Sequence, residues 1–496
     1  MQLYSTAVPK LSNSLMKKLN GLTDIYKFFR KYKKPIYFVS ASPFNILGLG
    51  QLVPSLCHIN YYDCFDGVHY RVFTPKDRVS PEFTCLEDIV NYLLQHKETH
   101  QHMATHGVGG HMLAVMFDEK TEALAKKMNI NLAMPPYALR NYLDSKIVTT
   151  QIANAAGVAS VPNILGEADS FQELMALAKS AKLGSDLVVQ TPYGDSGKTT
   201  FFIASQKNWK QYAKLIIGQQ IKVMKRIDPH CGTVEAVATK HGTIVGPILS
   251  ELVGHKELTP FKGGWSGNEG FVNILDNKSR LNLQRMVRKF GERLYKEGYK
   301  GTFCIDFLID KKDGRMYLGE LNPRISGASP ITNLLTQKYG GIPLLMFHLL
   351  EHMEVDYDID IKDIQKRWRD FDTWSQVIFK HTGNDVRILN HVPRSGIWRL
   401  SENNDAELVR RTADWSNVSG MDEAFFLRIL GPGEYIYKGA DLGVLLVRGH
   451  MQTKNDRLSA RAKNWVRIMK AHFQSSDIDG RVTPALIAPD IFNKIF

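Results

Sequence analysis

The sequence predicts an α/β (α+β) fold made of several domains, and three observations lead to this prediction. Strand-like runs such as residues 34–39 alternate along the chain with helical patterns such as residues 281–297. A chain of 496 residues is too long for one hydrophobic core, so two to four domains are expected. The composition, 44% hydrophobic and 23% charged, is typical of ordered globular proteins.

The net charge of the chain also indicates which classes of ligand are expected. The net charge of +13 comes from 63 basic and 50 acidic residues, and the basic ones are spread along the chain without a nucleic-acid-binding motif. We interpret this charge as solvation and attraction for phosphorylated or carboxylated ligands, so nucleic acid is not the favoured partner.

We expect no membrane span, since no apolar run approaches the roughly 20 residues that crossing a bilayer requires. The first 20 residues also lack the apolar core of a secretory signal. The five cysteines are odd in number and include no CxxC pair. They indicate reduced thiols in a cytoplasmic protein.

The N-terminal region is expected to begin an α/β unit. A basic helical lead-in over residues 1–33 precedes the strand at 34–39, and a loop of small polar residues at 40–45 ends that strand. A second loop, residues 105–111, is rich in glycine but lacks GxGxxG spacing. It either contacts substrate or is a plain turn between a strand and a helix.

A glycine-rich loop between two strands follows in the next region. The predicted elements are helices at 137–156, 171–181 and 207–218, strands at 186–190, 201–203 and 221–227, and the loop at 191–200. The free N–H groups of such a loop can hold phosphate oxygens. It is not a Walker A loop, because Pro192 stands where that motif needs glycine and a strand follows.

Further strands are predicted at 232–238 and 244–253. Glu235 is an acid on an otherwise apolar strand, and an unpaired buried acid is costly, so we expect it to face a cation or a ligand hydroxyl. The glycine-rich, aromatic segment 255–270 is predicted to be a loop that contributes to the acceptor site. The helix at 281–297 leads out of this region.

The stretch 301–327 is predicted to be a β-hairpin. Its two strands, 302–309 and 316–322, flank a turn at 310–314 that ends in Asp-Gly. Beyond it we expect helices at 331–338 and 342–352, an acidic linker at 351–363, and a β-rich part from about residue 369 that closes with a helix at 459–473.

The hairpin carries a set of oxygen ligands. Glu320 and Asn322 share a face because they are two residues apart on a strand, and the partner strand can bring Asp306 beside them. Two carboxylates and one amide carbonyl are ligands that Mg²⁺ prefers. Arg324 follows and suits charge neutralisation on a phosphate. The alternative is an ordinary hairpin with solvated acids.

The run Asp306 … Gly319-Glu320-Leu321-Asn322-Pro323-Arg324 resembles the metal- and phosphate-binding hairpin of the ATP-grasp superfamily. The layout is closest to biotin carboxylase-like members. The resemblance implies an ATP-grasp core of two lobes that uses ATP and Mg²⁺ (or Mn²⁺). The implied parts are a Rossmann-like pre-ATP-grasp domain at 1–134, a nucleotide lobe with a Gly-rich lid at 135–220, a metal and catalytic lobe at 221–355, and a small β-rich biotin carboxylase C-terminal-like domain at 370–496.

The resemblance also implies roles for individual residues. Asp306, Glu320 and Asn322 would bind the metal, and Arg324 and Glu235 would be catalytic. The residues implied for ATP are Lys146, Gln190, Gly194, Ser196, Gly197, Lys198, Met224, Lys225, Ile227, Glu235 and Leu308.

Gln190 departs from the family pattern, which has a phosphate-binding lysine at this position. Lys198 could supply the missing charge, or nucleotide binding could be weaker. A catalytically silent ATP-binding module is therefore an open alternative.

The implied activity is that of a ligase, which activates a substrate carboxylate as an acylphosphate and couples it to an amine of the amino acid or peptide class. The implied partners are these two small molecules, and a homodimer is left open. Carboxylation through carboxyphosphate, as in biotin carboxylase, is the alternative. It is disfavoured because Arg324 is followed by Ile325-Ser326-Gly327 instead of Val-Glu-His, and the chain has no Met-Lys-Met biotin site.

Overall fold

The computed structural model describes residues 18–77, 83–107, 109–194, 199–403 and 405–478. The predicted α/β class is confirmed, with helices packed on parallel and antiparallel sheets. No helix within these ranges has both the length and the apolarity that crossing a bilayer requires. All five cysteines lie in the described part and are free thiols.

The first part of the chain forms a five-stranded parallel sheet with helices around it. The elements of this part are β1 (Leu19–Asn20), which pairs with Tyr357–Asp358 outside this sheet, α1 (Gly21–Lys31), β2 (Ile36–Ser40), β3 (Leu56–Asn60), β4 (Val72–Phe73), α2 (Leu86–Gln95), α3 (Lys97–Thr105), β5 (His111–Leu113), α4 (Glu119–Lys127) and β6 (Asn131–Leu132), with 3-10 turns at Phe44–Ile46 and Leu49–Gln51. The strand order is β4-β3-β2-β5-β6. The loop after β2 therefore lies at the carboxyl edge of the sheet, where Asn45 donates a hydrogen bond to the Ser326 carbonyl (3.0 Å).

The second part is a small lobe with an antiparallel sheet. Its elements are α5 (Tyr137–Asp144), α6 (Lys146–Ala155), β7 (Asn163–Gly166), α7 (Phe171–Ser180), β8 (Leu187–Gln190), β9 (Thr200–Ile203), α8 (Gln206–Ile216) and β10 (Ile221–Lys225). The strand order is β7-β10-β8-β9, so β10 pairs within this sheet, although the sequence division assigned it to the following lobe.

The single helix predicted at 137–156 is two helices. Ser145 has extended backbone angles (φ −68°, ψ 123°) and separates α5 from α6. The break puts Lys146 at the first position of α6, where its backbone N–H donates to the Pro192 carbonyl (2.8 Å). Neither proline nor glycine marks this break in the sequence, which is why the prediction was wrong here.

The rest of the chain is organised around one large antiparallel sheet. Its elements are β11 (Pro229–Thr239), β12 (Gly242–Val253), β13 (Trp265–Gly270), α9 (Asn277–Lys296), β14 (Gly301–Asp310), β15 (Met316–Asn322), α10 (Ser329–Gly340), α11 (Leu344–His352), β16 (Tyr357–Asp358), α12 (Ile361–Arg367), β17 (Trp374–Lys380), β18 (Arg387–His391), β19 (Gly396–Leu400), β20 (Ala406–Arg410), β21 (Glu423–Arg428), β22 (Tyr435–Ile436), β23 (Asp441–Arg448), α13 (Ala460–Ala471) and β24 (Gln474–Asp477), with 3-10 turns at Val272–Ile274 and Trp415–Asn417. The order β15-β14-β11-β12-β13-β17-β23-β21-β19-β20 runs from the hairpin into the C-terminal region.

The segment predicted as a loop at 255–270 ends in strand β13, which joins the two halves of this sheet. Gly267 in this strand allows a close approach to the neighbouring strand. Gly267 has φ +129°, and a Cβ atom there would lie 1.9 Å from the Gln376 carbonyl oxygen on β17. The loop prediction was therefore wrong for residues 265–270.

Candidate active site

The hairpin β14–β15 brings the three predicted metal ligands together. Asp306 lies directly opposite Glu320, and Asn322 lies opposite Cys304, one step along the same face. The Asn322 amide nitrogen is 3.4 Å from an Asp306 carboxylate oxygen. Two carboxylates and an amide therefore meet on one side of the hairpin.

A third carboxylate, which the sequence analysis did not single out, belongs to the same cluster. The Thr233 hydroxyl lies 2.7 Å from Glu251 and 2.9 Å from Asp306. Burial, with the neighbouring charges of Glu251 and Glu320, raises the pKa of Asp306 well above its usual range. Burial also raises the pKa of Glu251.

Lys146 connects this cluster to the small lobe. Its ammonium lies 2.8 Å from Glu320 and donates to the Gly194 carbonyl at 2.6 Å, and the residue is only 6% exposed. Gly194 has φ +145°, and a Cβ atom there would lie 2.2 Å from the Thr199 side chain, so only glycine fits. The structure thus positions Lys146 between the acids and the start of the glycine-rich loop.

Arg324 lies on the other side of the cluster and is held by α5. Its guanidinium is 3.0 Å from Asp144, the last residue of that helix. Asp144 in turn lies 3.2 Å from Arg140. The break after Asp144 therefore presents Asp144 to Arg324 and Lys146 to Glu320.

A cluster of apolar side chains lies between the small lobe and the hairpin. Three residues implied for ATP, namely Met224, Ile227 and Leu308, pack there with Val161, Val188 and Tyr317. Lys225, the fourth residue expected along this base-binding strand, is exposed and is not part of this apolar cluster. Its backbone N–H donates to the Pro162 carbonyl (3.0 Å).

Gln190 follows Val188 of the apolar cluster by two residues on β8, and a lysine lies opposite it on the neighbouring strand. The Gln190 amide donates to the Thr200 hydroxyl on β9 (3.1 Å). Its partner on β10 is Lys222, which is 3% exposed and which sequence reasoning missed. Burial and the charge of Lys146 lower the pKa of Lys222 to about 8, against the opposing effect of Glu320.

Glu235 lies on β11 and is 2% exposed. Its carboxylate accepts hydrogen bonds from Ser329 (2.5 Å) and Ser326 (2.8 Å), and its catalytic and ATP-binding role stays a prediction. Burial raises the pKa of Glu235 to about 7, and the hydroxyls partly oppose this shift. The acid supports the segment that follows Arg324. The remaining predicted ATP-binding residues, Ser196, Gly197 and Lys198, lie outside the described residues.

The donor set suits a hard cation that is only partly coordinated by protein. Among the described residues, no three His, Cys, Asp or Glu side chains converge as a complete metal-binding group. Asp306, Glu320 and Asn322 supply two carboxylates and an amide, and Mg²⁺ commonly takes one or two carboxylates with waters and substrate phosphates. The crowding of acids at Asp306 also calls for a compensating cation.

No protein-family model matches the chain. In structure it is similar to the biotin carboxylase domain dimer of Hydrogenobacter thermophilus 2-oxoglutarate carboxylase in complex with MgADP, ADP and bicarbonate (TM-score 0.57, 13% identity, 89% of this chain and 90% of that chain). It is also similar to L-amino acid ligase from Bacillus licheniformis (TM-score 0.54, 14% identity, 90% and 100%).

In sequence the chain is similar to the alpha subunit of mitochondrial methylcrotonoyl-CoA carboxylase from Arabidopsis thaliana, with 20% identity over 217 residues that cover 43% of this chain. The match covers 29% of that relative, so the chain spans less than a third of its length. The two structural similarities extend over most of the chain at low identity, and they show the fold. This chain has the ATP-grasp fold.

Proposed function

We propose that this protein is an ATP-dependent ligase, which activates a substrate carboxylate as an acylphosphate and couples it to an amine of the amino acid or peptide class. One observation carries the proposal. Asp306, Glu320 and Asn322 meet beside Lys146, and an apolar cluster that includes Leu308, two residues after Asp306, joins the same hairpin to the small lobe. Oxygen ligands and a lysine next to apolar side chains suit a nucleotide, with the base against the apolar cluster and the phosphates among the charges.

Different residues of the site would bind different parts of Mg-ATP. Met224, Ile227 and Leu308 would contact the base, and Lys146 would hold the phosphates near the glycine-rich loop. Asp306, Glu320 and Asn322 would hold Mg²⁺, which neutralises phosphate charge when bound. Arg324 would neutralise the charge of the reacting groups, and Asp144 orients its guanidinium.

The reaction then needs positioning more than protein nucleophiles. A carboxylate oxygen of the substrate attacks the γ-phosphorus of ATP, the bond from that phosphorus to the β–γ bridging oxygen breaks, and ADP leaves. The amine nitrogen attacks the acyl carbon, the carbon–oxygen bond to phosphate breaks, and inorganic phosphate leaves while the nitrogen loses a proton. Movement of the small lobe toward the hairpin would keep water from the acylphosphate.

Carboxylation through carboxyphosphate is the second candidate, favoured by the sequence similarity to a carboxylase subunit. The bicarbonate named in the complex of the similar biotin carboxylase domain points the same way. The segment after Arg324, Ile325-Ser326-Gly327, argues against it, because no acid or histidine stands there to serve bicarbonate. A homodimer is supported by the dimer reported for that domain, and a cytoplasmic location by the five free thiols.

The test is ADP release from Mg-ATP in the presence of amino acids and dipeptides, with bicarbonate plus biotin as a separate arm. Glu320→Ala should lower substrate-dependent ADP release about 100-fold or more, since it removes a metal ligand. Glu292→Ala, at an exposed position on α9, is the matched control and should leave the rate unchanged. ATP binding without substrate-dependent ADP would instead indicate a non-catalytic module, and equal rates in both variants would contradict the metal site.

A further inference from the structure

A buried lysine in the interlobe cleft is not used by the roles assigned above. We propose that Lys222 is a phosphate-binding residue, which supplies from β10 the positive charge that Gln190 lacks on β8. This inference rests on the proposed nucleotide-dependent function and adds a residue to its binding site.

Strand alternation shows which way Lys222 faces. On β8 and β10, Leu187, Val189, Ile221 and Val223 pack in the core of the small lobe. The residues between them face the opposite side, where Val188 and Met224 belong to the apolar cluster between the small lobe and the hairpin. Lys222 is two residues before Met224, so it faces the hairpin, where Glu320 lies, and not the core of the lobe.

The strand register places Lys222 next to position 190, where the family has a phosphate-binding lysine. Lys222 is directly opposite Gln190, and Met224 is directly opposite Val188. Directly opposed side chains on antiparallel strands begin about 4.5–5.5 Å apart at Cβ. A lysine side chain can span that separation, so a charge presented from Lys222 reaches the same part of the cleft as one from residue 190. Gln190 is meanwhile occupied by its hydrogen bond to Thr200.

The surroundings of Lys222 leave its charge without a direct counterion. It is 3% exposed, and no hydrogen bond or ion pair of its ammonium occurs within the described ranges. Its electrostatic neighbours are Glu320 and Lys146, and Glu320 is already paired with Lys146 at 2.8 Å. Two lysines therefore face one carboxylate.

A buried cation without a partner costs folding stability, so an anion is expected to complete the site. When Glu320 takes part in holding a cation, both lysines lose part of their compensation. Phosphate groups of a nucleotide would restore this compensation, because they bring several negative oxygens to the two lysines. With Lys222 in this role, a chain with glutamine at 190 would keep a positive charge at the proposed phosphate site.

The test compares binding of ADP and of adenosine, with Mg²⁺ present, by isothermal titration calorimetry. Lys222→Met keeps the length of the side chain and removes the charge. We expect ADP to bind about 10- to 100-fold more weakly to this variant, with adenosine affinity unchanged. Lys214→Met, at an exposed lysine on α8, is the control and should bind ADP like the wild type. The exchange variant Gln190→Lys/Lys222→Gln should recover most of the lost ADP affinity.

Thermal unfolding without nucleotide separates binding from support of the fold. Because Lys222 is a buried, uncompensated charge, Lys222→Met should not lower the melting temperature. A lower melting temperature together with weakened adenosine binding would make Lys222 a structural residue and overturn the inference. Unchanged ADP affinity in Lys222→Met would also overturn it, while substrate-dependent ADP release by the wild type would leave the proposed function standing. A wild type that binds neither ADP nor ATP would overturn both.

Discussion

At the scale of single residues, three carboxyl groups of the candidate site lie close together. Asp306 stands directly opposite Glu320 on the hairpin, and the Thr233 hydroxyl lies within hydrogen-bond distance of both Asp306 and Glu251. Lys146 pairs with Glu320, and the positive charge of Arg324 acts on Asp306. Burial and the charges of Glu251 and Glu320 nevertheless raise the pKa of Asp306 well above its usual range, so ionised Asp306 lowers the stability of the fold at neutral pH, and a bound cation would relieve this cost.

Neutralising one member of the cluster should therefore stabilise the protein without a ligand. Asp306→Asn keeps the shape of the side chain and removes a like-charge pair, so we expect the free energy of unfolding in urea at pH 7 to rise by about 0.5–1 kcal/mol. Mg-ADP should raise the melting temperature of the wild type and not that of the variant. Asp370→Asn, at an exposed position, is the control. A loss of stability in Asp306→Asn would show that the carboxylate supports the fold.

At the scale of elements, β13 connects the C-terminal region to the lobe that carries the hairpin. Its Glu269 is 2% exposed and accepts hydrogen bonds from the backbone N–H groups of Met451 (2.5 Å) and Gln452 (2.8 Å) and from the Ser375 hydroxyl (3.1 Å). The Gln452 side chain in turn donates to the Glu251 carbonyl (3.2 Å). One carboxylate thus holds the turn after β23 against the strand that carries Glu251.

Removal of this carboxylate should be strongly destabilising. Glu269→Ala leaves two buried backbone N–H groups without an acceptor, and we expect a loss of about 2–4 kcal/mol in the free energy of unfolding, measured with urea. Ser375→Ala removes only one of the donors and should cost about 1 kcal/mol. Equal losses in the two variants would mean that the carboxylate does not hold the turn.

Elements differ in how far the sequence alone could predict them. The hairpin was predicted well because Asp306, Glu320 and Asn322 lie within 17 consecutive residues and follow a period of two. Lys222 reaches the same site by pairing with β8, and Glu251 reaches it through β11, which pairs with both β12 and β14, so local patterns along the sequence do not show these neighbours. The hydroxyl partners of Glu235 were not visible either, because Ser326 and Ser329 follow more than 90 residues later.

At the scale of the whole molecule, histidine side chains join separate parts of the chain. His348 on α11 is buried, accepts a hydrogen bond from the Thr302 N–H on β14 (3.0 Å), and donates to the Ala133 carbonyl (2.7 Å) at the end of the N-terminal part. Both contacts require the neutral ring, since one nitrogen accepts and the other donates. The junction of the N-terminal part with the hairpin therefore depends on an uncharged imidazole.

This junction predicts that acid will weaken the fold as the pH falls below 6.5. Burial lowers the pKa of His348 from 6.5 to about 4, and that of His58 to about 3. Below pH 6.5 the unfolded chain binds a proton that the folded chain refuses, so stability falls between pH 6.5 and about 4 by about 1.4 kcal/mol per pH unit for each such histidine. The free energy of unfolding in urea, measured across this window, should show this slope. His348→Gln should reduce the slope by about 1.4 kcal/mol per pH unit and should lower the stability at pH 7.5. An unchanged slope in His348→Gln would mean that the ring accepts a proton in the folded state, which its two hydrogen bonds forbid.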